Sequence, residues 1–223
     1  MNTVKLKIPF GALLFFLGLF SLPALENRIA YLEGDVSVIR EDEILESDFG
    51  FILRDGDRIA TGADSMAIIE LKGNRTLKMK EETLLNLDRV SENTSLTLER
   101  GGLFSKVEKL TTGSFTVRAE SVVAGIRGTE FFLSYGKTTG AAPDIWLCVN
   151  EGTVRVDLPE AGESVLVSEG EGITIPGGSR LTRPKPYSWT KDLNWNTDPG
   201  TGPVRDNTDP ESFYKTNPNR GAF

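Results

Sequence analysis

The 223-residue sequence predicts an all-β domain: a rolled sandwich or solenoid-like stack of short strands, followed by a flexible C-terminal tail. Three observations point there. From Ile29 to about Thr182, apolar residues alternate with polar ones in short runs broken by glycine, asparagine and aspartate. No helical pattern of three or more turns follows the N-terminal segment. A glycine-centred phrase recurs along the chain.

The first element is an export signal over residues 1–24. Lys5 and Lys7 precede an apolar run from Ile8 to Leu22, which is short for a membrane span and about right for a signal-peptide core. Ala24 is the best small residue for cleavage, which would start the mature chain near Leu25 without an integral membrane span; an uncleaved anchor is the alternative. Either reading sends the rest of the chain to the periplasm or beyond.

The β domain is expected over residues 25–184. In "AIIELKGNRTLKM", Ala67, Ile69 and Leu71 share one face, Gly73-Asn74 supplies a turn, and Leu77 and Met79 return on a second strand. Leu85 and Leu87 continue the pattern, then Leu96, Leu98, Leu103 and Val107. The recurring phrase is "LEGDVSV" (32–38), "ERGGLFS" (99–105) and "NEGTVRV" (150–156), in which Gly34, Gly101 and Gly152 each precede a strand-like apolar position. "FILRDGDRIAT" (51–61) resembles "VLVSEGEGITI" (165–175), with Gly56 matching Gly170, so the two ends of the domain read as copies of one module. Spacings of 67 and 51 residues between the phrase glycines are too uneven for a regular solenoid.

Residues 185–223 are rich in Pro, Asn, Asp, Thr and Gly and cannot build a core of their own. Tyr187, Trp189 and Trp195 are the exceptions, so the first half of this tail is expected to fold back on the domain. Beyond about Thr197 the expectation is a chain that orders only when bound.

Composition narrows the chemistry. The chain has no histidine, which removes the commonest general base and metal ligand and every Ser-His or Cys-His pair. The single cysteine, Cys148, cannot form an internal disulfide and sits in the strand-like "DIWLCVNEG", where it reads as a small buried residue. The net charge of −7 is spread without a basic block, which argues against nucleic acid as a partner. Asp55 and Asp57 in "RDGDR" read as turn chemistry rather than a calcium loop, and "NWNTDPGTGPVRD" fails the EF-hand pattern. No catalytic group, cofactor or metal is implied.

"GIRGTEF" (125–131), preceded by "FTVRAESVV", with "LEGDVSV" and "LRDGDRIATGADSMAIIEL" ahead and "WLCVNEGTVRV" behind, resembles the hallmark of the FecR domain family over roughly residues 29–176. The resemblance implies an all-β extracytoplasmic domain without catalytic activity. The best-known members are regulators of iron-uptake signalling with a cytoplasmic anti-sigma segment and one membrane helix. Only seven residues precede the apolar run here, so the expectation is a free-standing exported FecR domain, an interaction or scaffold module binding an envelope protein or cell-wall polymer, with a sensor of envelope signalling as the alternative.

Two readings fit Arg127. It could clamp a partner's carboxylate or phosphate from a glycine-flanked loop. Or it could lie at least half buried against the domain, bonded to backbone carbonyls and a carboxylate such as Glu130, Glu151 or Asp57. The apolar surroundings favour the second, with Gly125, Arg127, Gly128, Thr129 and Phe131 as a structural motif that closes the fold. Tyr187, Trp189 and Trp195 could stack on a partner or pin the tail, and pinning is the commoner use of such residues.

Overall fold

The computed structural model describes residues 26–136 and 142–208; the signal-peptide expectation for residues 1–24 and the last part of the tail, 209–223, lie outside the described residues. Fifteen strands form in chain order: β1 (Arg28–Glu33), β2 (Val36–Arg40), β3 (Glu43–Glu46), β4 (Arg58–Thr61), β5 (Met66–Leu71), β6 (Arg75–Met79), β7 (Leu84–Arg89), β8 (Asn93–Val107), β9 (Ser114–Ala119), β10 (Val122–Ile126), β11 (Thr129–Tyr135), β12 (Ile145–Glu151), β13 (Thr153–Leu158), β14 (Glu163–Ser168) and β15 (Gly172–Ile175). The all-β expectation holds, in the rolled form rather than the solenoid.

Two sheets share the 15-residue strand β8. The first runs β1-β5-β6-β8-β11-β12-β15, using the C-terminal half of β8. The second runs β14-β13-β10-β9-β8-β7-β4-β2-β3, using the N-terminal half. Every named strand pair is antiparallel except β8 with β9. The inner faces of both sheets meet in one core, where Ile69, Leu77, Leu103, Phe131 and Leu147 of the first sheet face Ile59, Leu98, Val117, Ala124 and Val156 of the second. The alternation read from the sequence at Ala67, Ile69, Leu71, Leu77 and Met79 is the inner face of β5 and β6.

The repeating phrase marks corners. Gly34 lies where the chain leaves β1 for β2, Gly152 where it leaves β12 for β13, and Gly101 inside β8; at each the chain passes from one sheet to the other. Gly128, between β10 and β11, marks a fourth such passage. Gly101 shows the physical reason. Its φ is 96°, and a Cβ there would lie 2.5 Å from Thr83 Cα, so only glycine lets β8 bend past the neighbouring turn. The second phrase is matched as a turn: Asp57 N–H donates to Arg54 O at 3.2 Å and Glu171 N–H to Ser168 O at 3.0 Å. The strands around it differ, because β15 joins the first sheet and β4 the second, so the module copies do not extend to topology.

The second sheet alternates buried and exposed positions, as in β13. The first sheet does not: β11 is buried from Thr129 to Ser134. Near-continuous burial means that both faces are covered. The cover is the tail. After Lys185 pairs with Gly172 through two backbone hydrogen bonds, a short 3₁₀ turn (Ser188–Lys191) and an irregular run to Thr208 cross the outer face of the first sheet. The expectation of a loose chain beyond Thr197 therefore fails for residues 197–208. Val204 is buried against Met66 and Ile68, and Arg205 Nη2 reaches Glu33 Oε2 at 2.8 Å. Asn194, Asn196 and Asp198 each accept a backbone N–H two residues on, at 3.0, 2.9 and 2.8 Å, so polar side chains order a segment with few apolar ones. Among the described residues, no helix is long and apolar enough to cross a membrane.

Candidate functional site

The stretch expected to close the fold divides into structural and exposed residues. Phe131 is fully buried in the central core, and Thr129 is buried beside it. Gly128 has φ 77°, and a Cβ would lie 2.9 Å from Lys109 Cα, so the corner needs glycine there. Gly125 pairs with Thr116 and Arg155 on the outer face of the second sheet. The nearest atom to a Cβ at that position would be 4.0 Å away, so nothing in its packing demands glycine.

Arg127 departs from expectation. It is exposed, and it makes no hydrogen bond or ion pair among the described residues. Two of the carboxylates expected to hold it are engaged elsewhere, and the third, Glu151, is exposed and makes no ion pair among the described residues. Asp57 is buried and gripped by Arg40, with Nε–Oδ1 at 2.7 Å and Nη2–Oδ2 at 2.8 Å. Glu130 accepts from Asn150 Nδ2 at 2.5 Å and sits 3.8 Å from Lys106 Nζ. The buried, carbonyl-bonded guanidinium belongs instead to Arg75, 4% exposed, which donates to Ser91 O, Thr94 Oγ1 and Glu92 O at 2.7–2.8 Å. The reason is geometric. Arg127 sits at the outside of a corner between two sheets, where the side chain points away from both.

Around that corner lies an open depression of about 600 Å³ lined by Lys106, Glu108, Lys109, Arg127, Glu130 and Glu151. Glu108 Oε2 accepts from Asn74 at 2.7 Å, and Glu130 is engaged as above. Arg127 and Lys109 are left as the cations with no hydrogen bond or ion pair among the described residues. The depression presents a planar guanidinium and an ammonium, groups suited to hold a carboxylate or phosphate.

The aromatic residues of the tail point inward. Tyr187 and Trp189 are buried and Trp195 is half-buried, in a cluster with Phe104, Phe132, Trp146 and Leu193. Trp195 meets Phe104 edge-on at 5.3 Å and Trp189 meets Phe132 at 6.4 Å. They pin the tail; as placed, they do not present a stacking surface. Cys148 is buried in the same cluster, and burial pushes its thiol pKa up, away from reactivity.

Sequence reasoning missed two lysines under the tail. Lys78, 1% exposed, donates to Asn194 O at 2.5 Å and Asn196 O at 2.9 Å and lies 4.2 Å from the centre of the Phe104 ring. Burial lowers its pKa to about 8, against the opposing pull of Asp206. Lys80 Nζ meets Asp206 Oδ2 and Thr208 O, each at 2.5 Å. The signal was present: in "LKMK" both lysines fall on the face opposite Leu77 and Met79, beside the phenylalanines of the neighbouring strands. Asp55 is also structural, accepting the Val90 N–H at 2.7 Å, in keeping with a turn rather than a calcium loop. Among the described residues, no group of three or more acidic, histidine or cysteine side chains could hold a metal ion.

The family model described as FecR protein matches residues 57–155, from the start of β4 into β13, a span that includes the Gly101, Gly128 and Gly152 corners. Two crystal structures from Parabacteroides distasonis ATCC 8503, each described as a candidate anti-sigma factor, are similar in fold. One is 17% identical with a TM-score of 0.50, covering 58% of this chain and 59% of that one. The other is 16% identical with a TM-score of 0.51, covering 61% and 67%. This chain thus matches about three fifths of the length of the first. No curated protein matches the chain.

Proposed function

We propose, from the premise that the chain belongs to the FecR family through the domain at residues 57–155, that it is a non-enzymatic interaction module of the bacterial envelope, with Arg127 as its contact to an acidic partner. The observation that carries this reading is the exposed guanidinium, without a partner among the described residues, at the centre of the family phrase. A residue needed only to hold the corner would be buried and bonded, as Arg75 is. The partner is an envelope protein or a cell-wall polymer that presents a carboxylate or phosphate to the depression at the β10–β11 corner. Export through the N-terminal segment would place the module where such a partner is met.

The test separates binding from folding. Arg127→Ala should melt within about 1 °C of the parent, because an exposed side chain away from special features contributes little to stability. It should fail to retain from envelope extract the partner that the parent retains. Arg127→Lys should also lose most of the binding, since it keeps the charge but not the planar fork. A variant that binds like the parent would overturn the reading. A fall in melting temperature matching the loss of binding would return Arg127 to a structural role.

A role as a sensor in envelope signalling is the second reading, favoured by the family and by the fold neighbours described as candidate anti-sigma factors. It predicts that deleting the gene alters transcription from a sigma-factor regulon, whereas a scaffold would alter only assembly of its partner.

A further inference from the structure

The molecule treats its sheet edges unequally. In the first sheet, the edge at β1 is met by the loop before β4, through Ile29 N–H to Phe51 O at 3.0 Å, Gly50 N–H to Ile29 O at 2.8 Å and Leu53 N–H to Asn27 O at 2.9 Å. The edge at β15 is met by Lys185. The second sheet ends at β3, which among the described residues pairs only with β2. Ile44, 73% exposed, lies on this open edge, and Phe49, 69% exposed, follows in the loop that meets β1; among the described residues the other large exposed apolar side chains are Ile52 in that loop and Leu166 on β14. The same hairpin carries Glu41, Asp42, Glu43, Glu46 and Asp48, all exposed and without an ion pair among the described residues.

We propose that β3 is a docking edge for an extended segment of another protein that flanks an apolar residue with basic ones, in the pattern basic–x–apolar–basic. Such a segment would add an antiparallel strand to β3 through backbone hydrogen bonds. Register fixes what it must present. Ile44 pairs with Ile39, and Glu46 with Ser37, on the outer face of the sheet, so the incoming strand needs an apolar residue opposite Ile44 and a lysine or arginine opposite Glu46. Glu43 takes a second basic residue on the other face. A second copy of this chain fits poorly. Antiparallel pairing of β3 with itself would set Glu43 against Glu46, and the other open edge, β14 with its following turn, carries Glu163, Glu169 and Glu171 and no basic residue. Acidic residues on an edge also discourage aggregation. That purpose alone gives no reason to expose an isoleucine between them.

The test uses the full chain, isotope-labelled, titrated with the capped six-residue peptide Thr-Lys-Thr-Val-Lys-Thr, whose valine can face Ile44 while its two lysines face Glu46 and Glu43. The backbone amide signals of Glu43–Glu46 should shift, with affinity falling at least tenfold between low and physiological salt. The same peptide with glutamate in place of each lysine should leave them unmoved, and the double variant Glu43→Lys/Glu46→Lys should reverse the preference. Both substituted positions are exposed, and far-UV circular dichroism checks that the variant folds. Arg127→Ala should bind the lysine peptide like the parent, which keeps this surface separate from the corner site. No shift at β3 at millimolar peptide, shifts centred on another edge, or a double variant that keeps the lysine preference would each overturn the proposal. So would a double variant that self-associates while the parent ignores both peptides, because the acids would then serve only to guard the edge.

Discussion

Lys78 illustrates how one side chain can set a pH dependence. Its amine is buried under the tail with two carbonyl acceptors and an aromatic face but no carboxylate in direct contact. Its pKa falls from 10.5 to about 8 on folding. Between those values the unfolded chain binds more protons than the folded one, so this group makes stability rise as pH increases from about 8 to 10.5 and lowers it below that window. Lys78→Met should remove that rise, a difference on the order of 2 kcal/mol between parent and variant, read by urea unfolding at pH 7.5 and pH 10.5. The glycines of the family phrase offer a second comparison. Gly128→Ala should cost roughly 1–3 kcal/mol, since it combines a left-handed backbone with a clash against Lys109. Gly125→Ala should stay within about 0.5 kcal/mol of the parent, because open space meets its Cβ. Equal losses at the two positions in thermal melts would show that the corner is not the source of strain.

At the scale of elements, the tail is the surprise. Removing residues 185–223 should expose Phe104, Phe132 and Trp146, raise binding of a hydrophobic dye and lower the melting temperature clearly. Limited proteolysis of the intact protein should leave a fragment whose C-terminus lies at or beyond Thr208, whereas a fragment ending near residue 195 would show that the polar half of the strap is loosely held. The strands were legible in the sequence because each inner face repeats at period two, from Ala67 to Val107. The strap was only half legible. Tyr187 and Trp189 announced contact, but residues 194–208 are ordered by amide ladders and by the acceptor needs of Lys78 and Lys80, and hydrophobic pattern does not record those needs. Arg127 misled for a related reason: apolar neighbours in sequence suggested burial, yet they lie on two different strands that meet at an outward corner.

For the molecule as a whole, the phrase glycines were visible as a repeat but their meaning was not, since a corner between sheets is defined by pairing partners far away in the chain. Gly101 is paired across the fold with Tyr135, and only that pairing reveals that β8 changes sheets there. The shared strand has a thermodynamic consequence. Each sheet uses half of β8 as an internal member, so neither can melt and leave the other's strand order intact. Loss of tryptophan fluorescence, which reports on the first sheet through Trp146, Trp189 and Trp195, should therefore coincide in urea with loss of far-UV circular dichroism, which reports on both. Two separated midpoints would show that the halves of β8 can part. A single transition would make one strand the common backbone of recognition. A partner drawn to the Arg127 corner, one strand away from β8, would then steady the distant edge at β3 as well, by resisting the global unfolding in which both sheets are lost together.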